Sequence, residues 1–475
     1  MLGLAVSLLP GSAAFAQDII SKQYDDGSVY EGSFRNGRQD GTGTYTLPNG
    51  YSYSGTWVDG EILGQGVAQY PNGSVYEGSF AKGRPEGKGK ITFADGGTYE
   101  GDWLNGAMTG QGAAHHASGS VYVGAFVNGR HDGQGVITGA DGYRYDGAWV
   151  GGEKDGEGVV TFPDGTTYTG ALVKGQRAGK GLLVLPDGLT YLGGWRAGQI
   201  NGMGKLTQPN GDIYEGGFVE GQRQGQGKTT WGNGDVYAGS YVQDKRAGRG
   251  IFTAGDGAIY TGDWLAGRMA GQGKMTYADG AVYEGAFKAD QPEGKGRITY
   301  ADGASYDGAW VKGAISGRGR ATYANGLVYE GDFVGAEPQG QGVMTYPDGY
   351  RYEGGWVKGV RDGVGTATYA DGTSYKGAFR AGLREGKGAL TRPDGLTYDG
   401  DWKAGEIDGI GRATYASGDV YEGAFVKGKR EGQGRLTYKS GDLAEGVWKS
   451  GILTAPPEVP AVEAPAAAAV PAEGN

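Results

Sequence analysis

Only a few short stretches of the chain contain residue types that catalyse reactions or bind ligands in other proteins. Gly227-Lys228-Thr229 matches the last three residues of a phosphate-binding loop. That loop needs a further glycine five residues before Gly227, where this chain has Gln222, and it needs a following helix that the sequence does not predict. We therefore predict no nucleotide site and no cofactor.

The three histidines are the next candidates, because imidazole is a common metal ligand. His115 and His116 are adjacent in sequence, and neighbours in a strand point to opposite faces, so they cannot share a metal ion. His116 also occupies a position that is tyrosine in many of the repeats described below, which indicates a packing role. His131 is predicted to lie in a turn without a partner. No metal site is predicted.

Carboxylates could supply acid–base catalysis or bind calcium. The calcium-binding β-roll repeats its glycine and aspartate every nine residues, whereas the Asp-Gly pairs recur here every twenty-three. Carboxylates occur throughout the chain, so no pair stands out as a general acid and base. We predict no catalytic residue and conclude that the chain is not an enzyme.

What dominates the sequence is a repeat. Tyrosine occurs at Tyr30 and at every twenty-third position through Tyr421, which makes eighteen copies without an insertion or deletion. Glycine follows two residues later, and an aromatic residue follows at four residues in every copy except at Leu172. Further glycines recur eleven, thirteen and twenty residues after the tyrosine. A period this regular predicts that each unit contacts the next in one fixed way.

Within each repeat, apolar and polar residues alternate with a period of two, which predicts strands. Units end in turn sequences such as Pro48–Gly50 and Ala278–Gly280, whose Asn-Gly and Asp-Gly pairs favour positive φ. Each unit is therefore predicted to be a β-hairpin. The predicted fold class is all-β, an elongated, twisted, single-layer antiparallel sheet of stacked hairpins.

Glycine inside strands is costly, and the aromatic residues suggest why it is present. A ring that lies over a neighbouring glycine packs closely against bare backbone. On this basis Gly87 is predicted to lie under a ring, so that Gly87→Val displaces the ring. The aromatic at the fourth position alternates between Phe and Trp, and the residue eleven places later varies oppositely in size, as in Trp57 with Ala68 and Phe80 with Ile91. This indicates a packing role first and a ligand-binding role second.

The pattern Y-E-G-x-F/W-x-x-G-x-x-x-G-x-G-x-x-x-Y-x-D-G resembles the MORN repeat (membrane occupation and recognition nexus) of a bacterial, exported protein. The resemblance covers residues 30–451, as eighteen repeats and a closing half repeat in which Ala444 replaces the tyrosine. It implies an elongated sheet that acts as a scaffold or connector. It also implies that a homodimer could form, since some relatives dimerise end to end, and it brings an attributed lipid-binding activity.

The two ends of the chain differ from the repeats. Residues 1–16 are uncharged and apolar and finish in Ala14-Phe15-Ala16, which is typical of a signal peptide cleaved before Gln17. Residues 17–29 form a lead-in. Residues 455–475 have five prolines and no aromatic or basic residue, which predicts a disordered Pro/Ala-rich tail. The expected location is the periplasm or cell envelope, with the chain soluble after cleavage.

The leading functional hypothesis is a non-catalytic scaffold that holds unidentified protein partners in the cell envelope. A net charge of -10 argues against nucleic acid. The alternative is a module that binds envelope glycan or lipid through the aromatic face of the sheet, although an acidic chain is poorly suited to anionic headgroups. The candidate packing or binding residues of that face are Tyr53, Trp57, Tyr99, Trp103, Tyr145, Trp149, Tyr306, Trp310, Tyr352, Trp356, Tyr398 and Trp402.

Overall fold

The computed structural model describes residues 19–455, so the predicted signal peptide and all but the first residue of the predicted tail lie outside the described part. These residues form 39 β-strands and no helix. It follows that the described chain has no helix long and apolar enough to cross a membrane. The described chain divides into two compact units: unit 1 comprises residues 19–234 and 240–244, and unit 2 comprises residues 235–239 and 245–455.

Unit 1 contains nineteen complete strands. Strand β20 (Val236–Val242) is divided between the two units. The strands of unit 1 are β1 (Ile20–Gln23), β2 (Val29–Arg35), β3 (Arg38–Thr46), β4 (Ser52–Val58), β5 (Glu61–Gln69), β6 (Val75–Ala81), β7 (Arg84–Thr92), β8 (Thr98–Leu104), β9 (Ala107–His115), β10 (Val121–Val127), β11 (Arg130–Thr138), β12 (Arg144–Val150), β13 (Glu153–Thr161), β14 (Thr167–Val173), β15 (Gln176–Val184), β16 (Thr190–Arg196), β17 (Gln199–Thr207), β18 (Ile213–Val219) and β19 (Gln222–Thr230).

Unit 2 repeats the same alternation of a seven-residue and a nine-residue strand. Its strands are β21 (Lys245–Thr253), β22 (Ile259–Leu265), β23 (Arg268–Thr276), β24 (Val282–Lys288), β25 (Gln291–Thr299), β26 (Ser305–Val311), β27 (Ala314–Thr322), β28 (Val328–Val334), β29 (Glu337–Thr345), β30 (Arg351–Val357), β31 (Val360–Thr368), β32 (Ser374–Arg380), β33 (Leu383–Thr391), β34 (Thr397–Lys403), β35 (Glu406–Thr414), β36 (Val420–Val426), β37 (Lys429–Thr437), β38 (Leu443–Lys449) and β39 (Ile452–Ala455).

Within each unit, every strand pairs antiparallel with the strands that precede and follow it in the chain. Extensive contacts occur only between such consecutive strands, so each unit is one layer of sheet. In the register, the leading tyrosine lies opposite the apolar residue fifteen positions later, as in Tyr76 with Ile91, and the two strand glycines pair as in Gly78 with Gly89. The predicted all-β fold of consecutive antiparallel hairpins is confirmed.

Two kinds of turn connect the strands. They differ from the prediction in where both turn residues have positive φ. The two-residue turns with positive φ at both positions lie inside each repeat, as at Asn36 (51°) and Gly37 (81°). At the Asn-Gly sequence that ends the repeat, only Gly50 has positive φ, at 90°. Its amide donates to the carbonyl of Leu47 at 3.1 Å, and Asn49 accepts the amide of Tyr51 through its side chain at 3.0 Å. Asparagine therefore acts there as a side-chain acceptor rather than as a left-handed residue.

The glycines eleven and thirteen residues after the tyrosine have different functions. Gly87 lies in a β-bulge with φ of 75°, and a Cβ atom added there would be 3.6 Å from the Cβ of Ser79, with no ring close by. At Gly89 an added Cβ would overlap the Oη and Cζ atoms of Tyr76. The prediction that a ring covers Gly87 is therefore wrong, because the ring covers its neighbour two residues later.

Both ends of the repeat array contain strands that the sequence did not predict. In the lead-in, β1 pairs with β2, and the turn before β2 has the same hydrogen bonds as a repeat end, with the Tyr24 amide donating to Ser28 at 2.9 Å. At the other end, β38 is the predicted closing strand, and β39 pairs with it. The array is thus bounded by additional half repeats, which cover the edges of the first and last complete repeats.

We expect Gly89→Ala to destabilise its hairpin by about 3 kcal/mol, because the added methyl group must displace a buried ring. Gly87→Ala should cost only about 1–2 kcal/mol, because it forces alanine into the left-handed region without a steric overlap. Hydrogen exchange of the β6 and β7 amides in the full chain measures both effects locally. Equal loss of protection in the two variants would contradict the different functions of these glycines.

Candidate functional site: the aromatic ladder and two exposed rows

The leading tyrosine of each repeat is a buried residue that covers backbone. Tyr76 has no exposed surface, and its ring lies over Gly78 and Gly89, which face each other on β6 and β7. Its hydroxyl donates to the backbone carbonyl of Ser79 at 2.9 Å. The same hydrogen bond, to the residue three positions later, measures 2.7 Å at Tyr145 and 3.1 Å at Tyr352. The phenol is therefore satisfied within its own repeat.

Each tyrosine also lies between the aromatic residue of its own repeat and that of the next. The ring of Tyr76 is 5.0 Å from Phe80 and 4.9 Å from Trp103, and both contacts are edge-to-face. The next tyrosine, Tyr99, contacts Trp103 at 5.4 Å and Phe126 at 4.8 Å in the same way. We call these alternating rings the aromatic ladder. Edge-to-face contacts contribute about 0.5–1.5 kcal/mol each beyond the burial of area.

The tryptophans attach one repeat to the previous one by hydrogen bonds. The indole Nε1 of Trp103 donates to the carbonyl of Gly89 at 3.0 Å, and that of Trp402 donates to Gly388 at 2.9 Å. The acceptor is in each case the glycine that the tyrosine of the previous repeat covers. One glycine therefore contacts the ring of its own repeat through Cα and the ring of the next repeat through its carbonyl.

The twelve residues proposed from the sequence as a packing or binding face all belong to this ladder. Tyr53, Tyr99, Tyr145, Tyr306, Tyr352 and Tyr398 are at most 1% exposed, and Trp57, Trp103, Trp149, Trp310, Trp356 and Trp402 are 3–7% exposed. Ala68, which was matched in size to Trp57, is also buried and lies opposite Tyr53 in the paired strand. The structure places all twelve in internal packing, where their ring faces contact neighbouring rings and backbone.

The sequence analysis did not identify a row of arginines that cover the ladder. Arg384 is half-buried, with its guanidinium 4.2 Å from the ring of Trp402 and a hydrogen bond of 2.8 Å to the carbonyl of Gly405. Arg430 contacts Trp448 at 4.1 Å in the same manner. The sequence contains a pattern that could have revealed this contact, because in both pairs the arginine occurs eighteen residues before the tryptophan. Such stacked cations stabilise the repeat interface.

The histidines also differ from the prediction. His131 lies in strand β11, not in a turn, and its ring stacks on Tyr122 at 3.6 Å. Its ring is 6.3 Å from that of His116, with which it lines a cavity of about 370 Å³ together with Phe93 and Phe126. Burial, and secondly the neighbouring His116, lower the pKa of His131 to about 4, so it is neutral at pH 7. Residues 19–455 contain no group of three or more metal-ligating side chains.

Two rows of exposed apolar or aromatic side chains remain on the sheet. The first, the apolar stripe, lies five residues after the leading tyrosine and consists of Val58, Leu104, Val127, Val150, Val173, Val219 and Val242 in unit 1 and Leu265, Val311, Val334, Val357 and Val426 in unit 2. The second, the tyrosine rim, lies in unit 2 at the first residue after the nine-residue strand and consists of Tyr277, Tyr300, Tyr323, Tyr346, Tyr369, Tyr415 and Tyr438.

The buried tyrosines predict a defined alkaline transition. Burial raises the pKa of Tyr53, Tyr76 and Tyr145 to about 12, whereas an unfolded tyrosine titrates near about pH 10. A raised pKa in the folded state stabilises the fold fully below pH 10, and this contribution is lost as the pH rises towards 12. Urea midpoints should be constant up to about pH 9 and fall between about pH 10 and 12. Complete tyrosinate absorbance near pH 10, with the circular dichroism of the folded chain unchanged, would contradict the burial.

Similarity to known proteins is local or weak outside one family. Alsin of Rattus norvegicus is 46% identical over 50 residues, which are 10% of this chain and 3% of Alsin, so this chain spans a very small part of that relative. The TCP domain of SAS-4 from Drosophila melanogaster is 15% identical, with a TM-score of 0.20, over 44% of this chain and 96% of that domain. The TCP10 domain of Danio rerio CPAP is 15% identical, with a TM-score of 0.17, over 56% of this chain and 93% of that domain.

A family model, by contrast, matches most of the chain. The MORN repeat matches eighteen times, at residues 30–50, 53–75, 76–98, 99–121, 122–142, 145–167, 168–190, 191–213, 214–236, 237–259, 260–282, 283–305, 306–328, 329–349, 352–374, 375–397, 398–420 and 421–443. These segments coincide with the repeats defined by the leading tyrosines and with the hairpins of the structure. The chain belongs to the MORN repeat family.

Proposed function

We propose that the protein is a non-catalytic repeat scaffold that binds protein partners in the cell envelope. The observation that carries this proposal is the apolar stripe. Its members are between 40% exposed at Val58 and 71% exposed at Leu265. In an antiparallel sheet with one packed face, the opposite face is normally polar, so an aliphatic side chain at the same outward position of many repeats needs a partner.

The stripe lies on the face opposite the aromatic ladder. Val127 directly follows Phe126, which is buried in the ladder, and successive side chains of a strand point to opposite faces. Leu104, Val127, Val150 and Val173 occupy four consecutive repeats of unit 1. At two strands per repeat, neighbouring members are separated by about 9.6 Å.

The neighbours of the stripe are polar, which is the arrangement of a protein interface. Val127 pairs across the tight turn with Arg130, and Val150 pairs with Glu153. Apolar contacts surrounded by polar and charged groups are typical of protein–protein contact surfaces. The stripe consists of aliphatic side chains, and the ladder rings are buried, so the structure does not support sugar stacking on the aromatic face. The described residues likewise give no support to lipid binding or to a homodimer.

Location in the cell envelope is proposed from residues 1–16, whose apolar sequence supports export. If this is correct, the mature chain isolated from the native cells begins at Gln17 and is absent from the cytoplasmic fraction. Intact-mass measurement of the chain tests the cleavage. A full-length chain retained in the cytoplasm would overturn the envelope part of the proposal without affecting the protein-binding part.

The binding surface is tested by photo-crosslinking in the native cells. A photoreactive residue at Val150 should capture one or a few proteins, and Val127→Glu should reduce that capture about tenfold, because it places a charge in an apolar contact. Gln134→Glu is the matched control, because it adds a charge at an exposed position of the same face outside the stripe. Both variants should keep the wild-type melting temperature, since exposed substitutions change stability by less than about 0.5 kcal/mol.

Equal capture by the Val127→Glu variant and the unsubstituted chain would show that the stripe is not the docking surface. Crosslinks only to a second copy of the chain would indicate that the stripe mediates self-assembly and does not bind other proteins. Either result would overturn this proposal.

A further inference from the structure

The tyrosine rim is the second exposed row, and it consists of the turn tyrosines of unit 2, whereas the repeats of unit 1 have a single tyrosine, Tyr70, at the same position. Tyr300, Tyr323 and Tyr438 are 39%, 36% and 41% exposed, and within residues 19–455 they are the most exposed of the Phe, Tyr and Trp side chains. The other four members of the rim are half-buried. The ladder rings in the same repeats are buried, so among the aromatic residues of a repeat the exposed ring is the one at the rim position.

The turns hold the backbone of the rim tyrosines in a fixed geometry. The amide of Tyr300 donates to the carbonyl of Ala304 at 2.8 Å, and the carbonyl of Tyr300 accepts the amide of Gly303 at 3.0 Å. The same two bonds, at 2.8 and 2.9–3.0 Å, recur at Tyr323, Tyr346 and Tyr369. Preorganised aromatic side chains form a good docking surface, because little conformational entropy is lost when they are bound.

Some of the rim rings are joined into a continuous surface. Tyr350 lies at the other end of the turn that begins at Tyr346, and its ring is 5.1 Å from that of Tyr346 and 5.0 Å from that of Tyr369. These three rings bridge two successive repeats. An extended ligand that runs along the rim would therefore contact aromatic surface in one repeat after another.

The chain itself leads from its last strand towards this rim. Strand β38 follows the turn that begins at Tyr438 and runs away from it, and β39 is antiparallel to β38, with Ile452 paired to Lys449. The chain direction at Ala455 therefore points back to the edge of the sheet where Tyr438 lies. Twenty residues of the sequence follow Ala455.

Those residues have the composition that aromatic surfaces recognise. Residues 456–475 contain five prolines, and Pro457-Glu-Val-Pro460 has the PxxP spacing. Proline-rich segments favour the polyproline II conformation, whose backbone carbonyls lack internal hydrogen bonds and whose entropy loss on binding is small. Such segments dock on aromatic-lined surfaces, where the proline rings stack on the aromatic side chains and phenolic hydroxyls donate to the free carbonyls.

We propose that residues 456–475 dock on the tyrosine rim of unit 2 in the same chain. In the polyproline II conformation, twenty residues reach about 60 Å. Ala455 pairs with Val447, so about 20 Å of this length is needed to return to the edge at Tyr438. The four repeats from Tyr438 back to Tyr346 extend over about 38 Å at two strands per repeat. The segment is thus long enough to contact Tyr438, Tyr415, Tyr369 and Tyr346 in turn.

The contact is aromatic rather than ionic. The segment contains three glutamates and no basic residue, and the turns beside the rim contain carboxylates such as Asp302 and Asp348. These two carboxylates accept the amides of Ala304 and Tyr350 at 2.9 Å, so they stabilise the turns. Arg361 and Arg430 lie beside Tyr350 and Tyr415, so the rim carries charges of both signs. Because the proposed contact is aromatic, docking should change little with ionic strength.

The test uses the full chain with one introduced thiol. The sequence has no cysteine, so Ala472→Cys gives a unique site for a thiol-specific benzophenone label. After irradiation of the purified monomer, mass spectrometry should locate intramolecular crosslinks in the unit 2 turns that begin at Tyr346 and Tyr369, because residue 472 lies about 53 Å along an extended chain from Ala455. The double substitution Tyr346→Ser and Tyr369→Ser should reduce this yield at least about fivefold, as expected for the loss of two aromatic contacts.

Tyr70→Ser is the matched control, because Tyr70 has the same turn position in unit 1, where its amide donates to Ser74 at 2.8 Å, and this substitution should leave the yield unchanged. Pro457→Ser with Pro460→Ser alters only the segment outside the repeats and should also lower the yield. Crosslinks spread evenly over the turns of both units, crosslinks only between molecules, or a yield unaffected by the proline substitutions would each overturn the proposal. This test is independent of the partners of the apolar stripe.

Discussion

The fold depends on one contact, the tyrosine ring that lies over two facing glycines. A side chain larger than hydrogen at Gly78 or Gly89 would overlap the phenol of Tyr76 or the backbone opposite it. Glycine in a strand lowers stability by exposing backbone and increasing the entropy of the unfolded chain. The ring offsets this cost, because it covers that backbone and donates a hydrogen bond within the repeat. Both residue types must therefore recur together in every repeat.

The same contact couples neighbouring repeats. The carbonyl of the covered glycine accepts the indole of the next repeat, and the tyrosine ring contacts the aromatic residue of that repeat edge-to-face. Each repeat thus completes the packing of the one before it. This is the nearest-neighbour stabilisation expected of repeat proteins, and it explains why half repeats at β1 and at β38–β39 are needed at the ends.

The aromatic ladder uses most of one face of the sheet for internal packing. Interactions with other molecules therefore depend on exposed positions outside the ladder. The fifth position after the tyrosine points away from the ladder, and it is valine or leucine in some repeats and arginine or lysine in others, as at Arg196 and Lys288. The position at the repeat-end turn is tyrosine in most repeats of unit 2 but varies more widely in unit 1, where His116 and Gly139 occupy it. Functional differences between repeats are therefore expected at these two positions.

The hairpin repeat, its period and the packing function of the aromatic residues could be predicted from the sequence, because period-two alternation and the pairing of rings with glycine are local properties. The folded structure was needed to establish which glycine each ring covers, since the bulge at Gly87 shifts the register by an amount that alternation does not reveal. It likewise decided that Arg384 stacks on Trp402 and that His131 stacks on Tyr122, because residues distant in sequence meet across paired strands. Exposure of the apolar stripe and the tyrosine rim was also decided there, since burial depends on what packs against a face as well as on the residue itself.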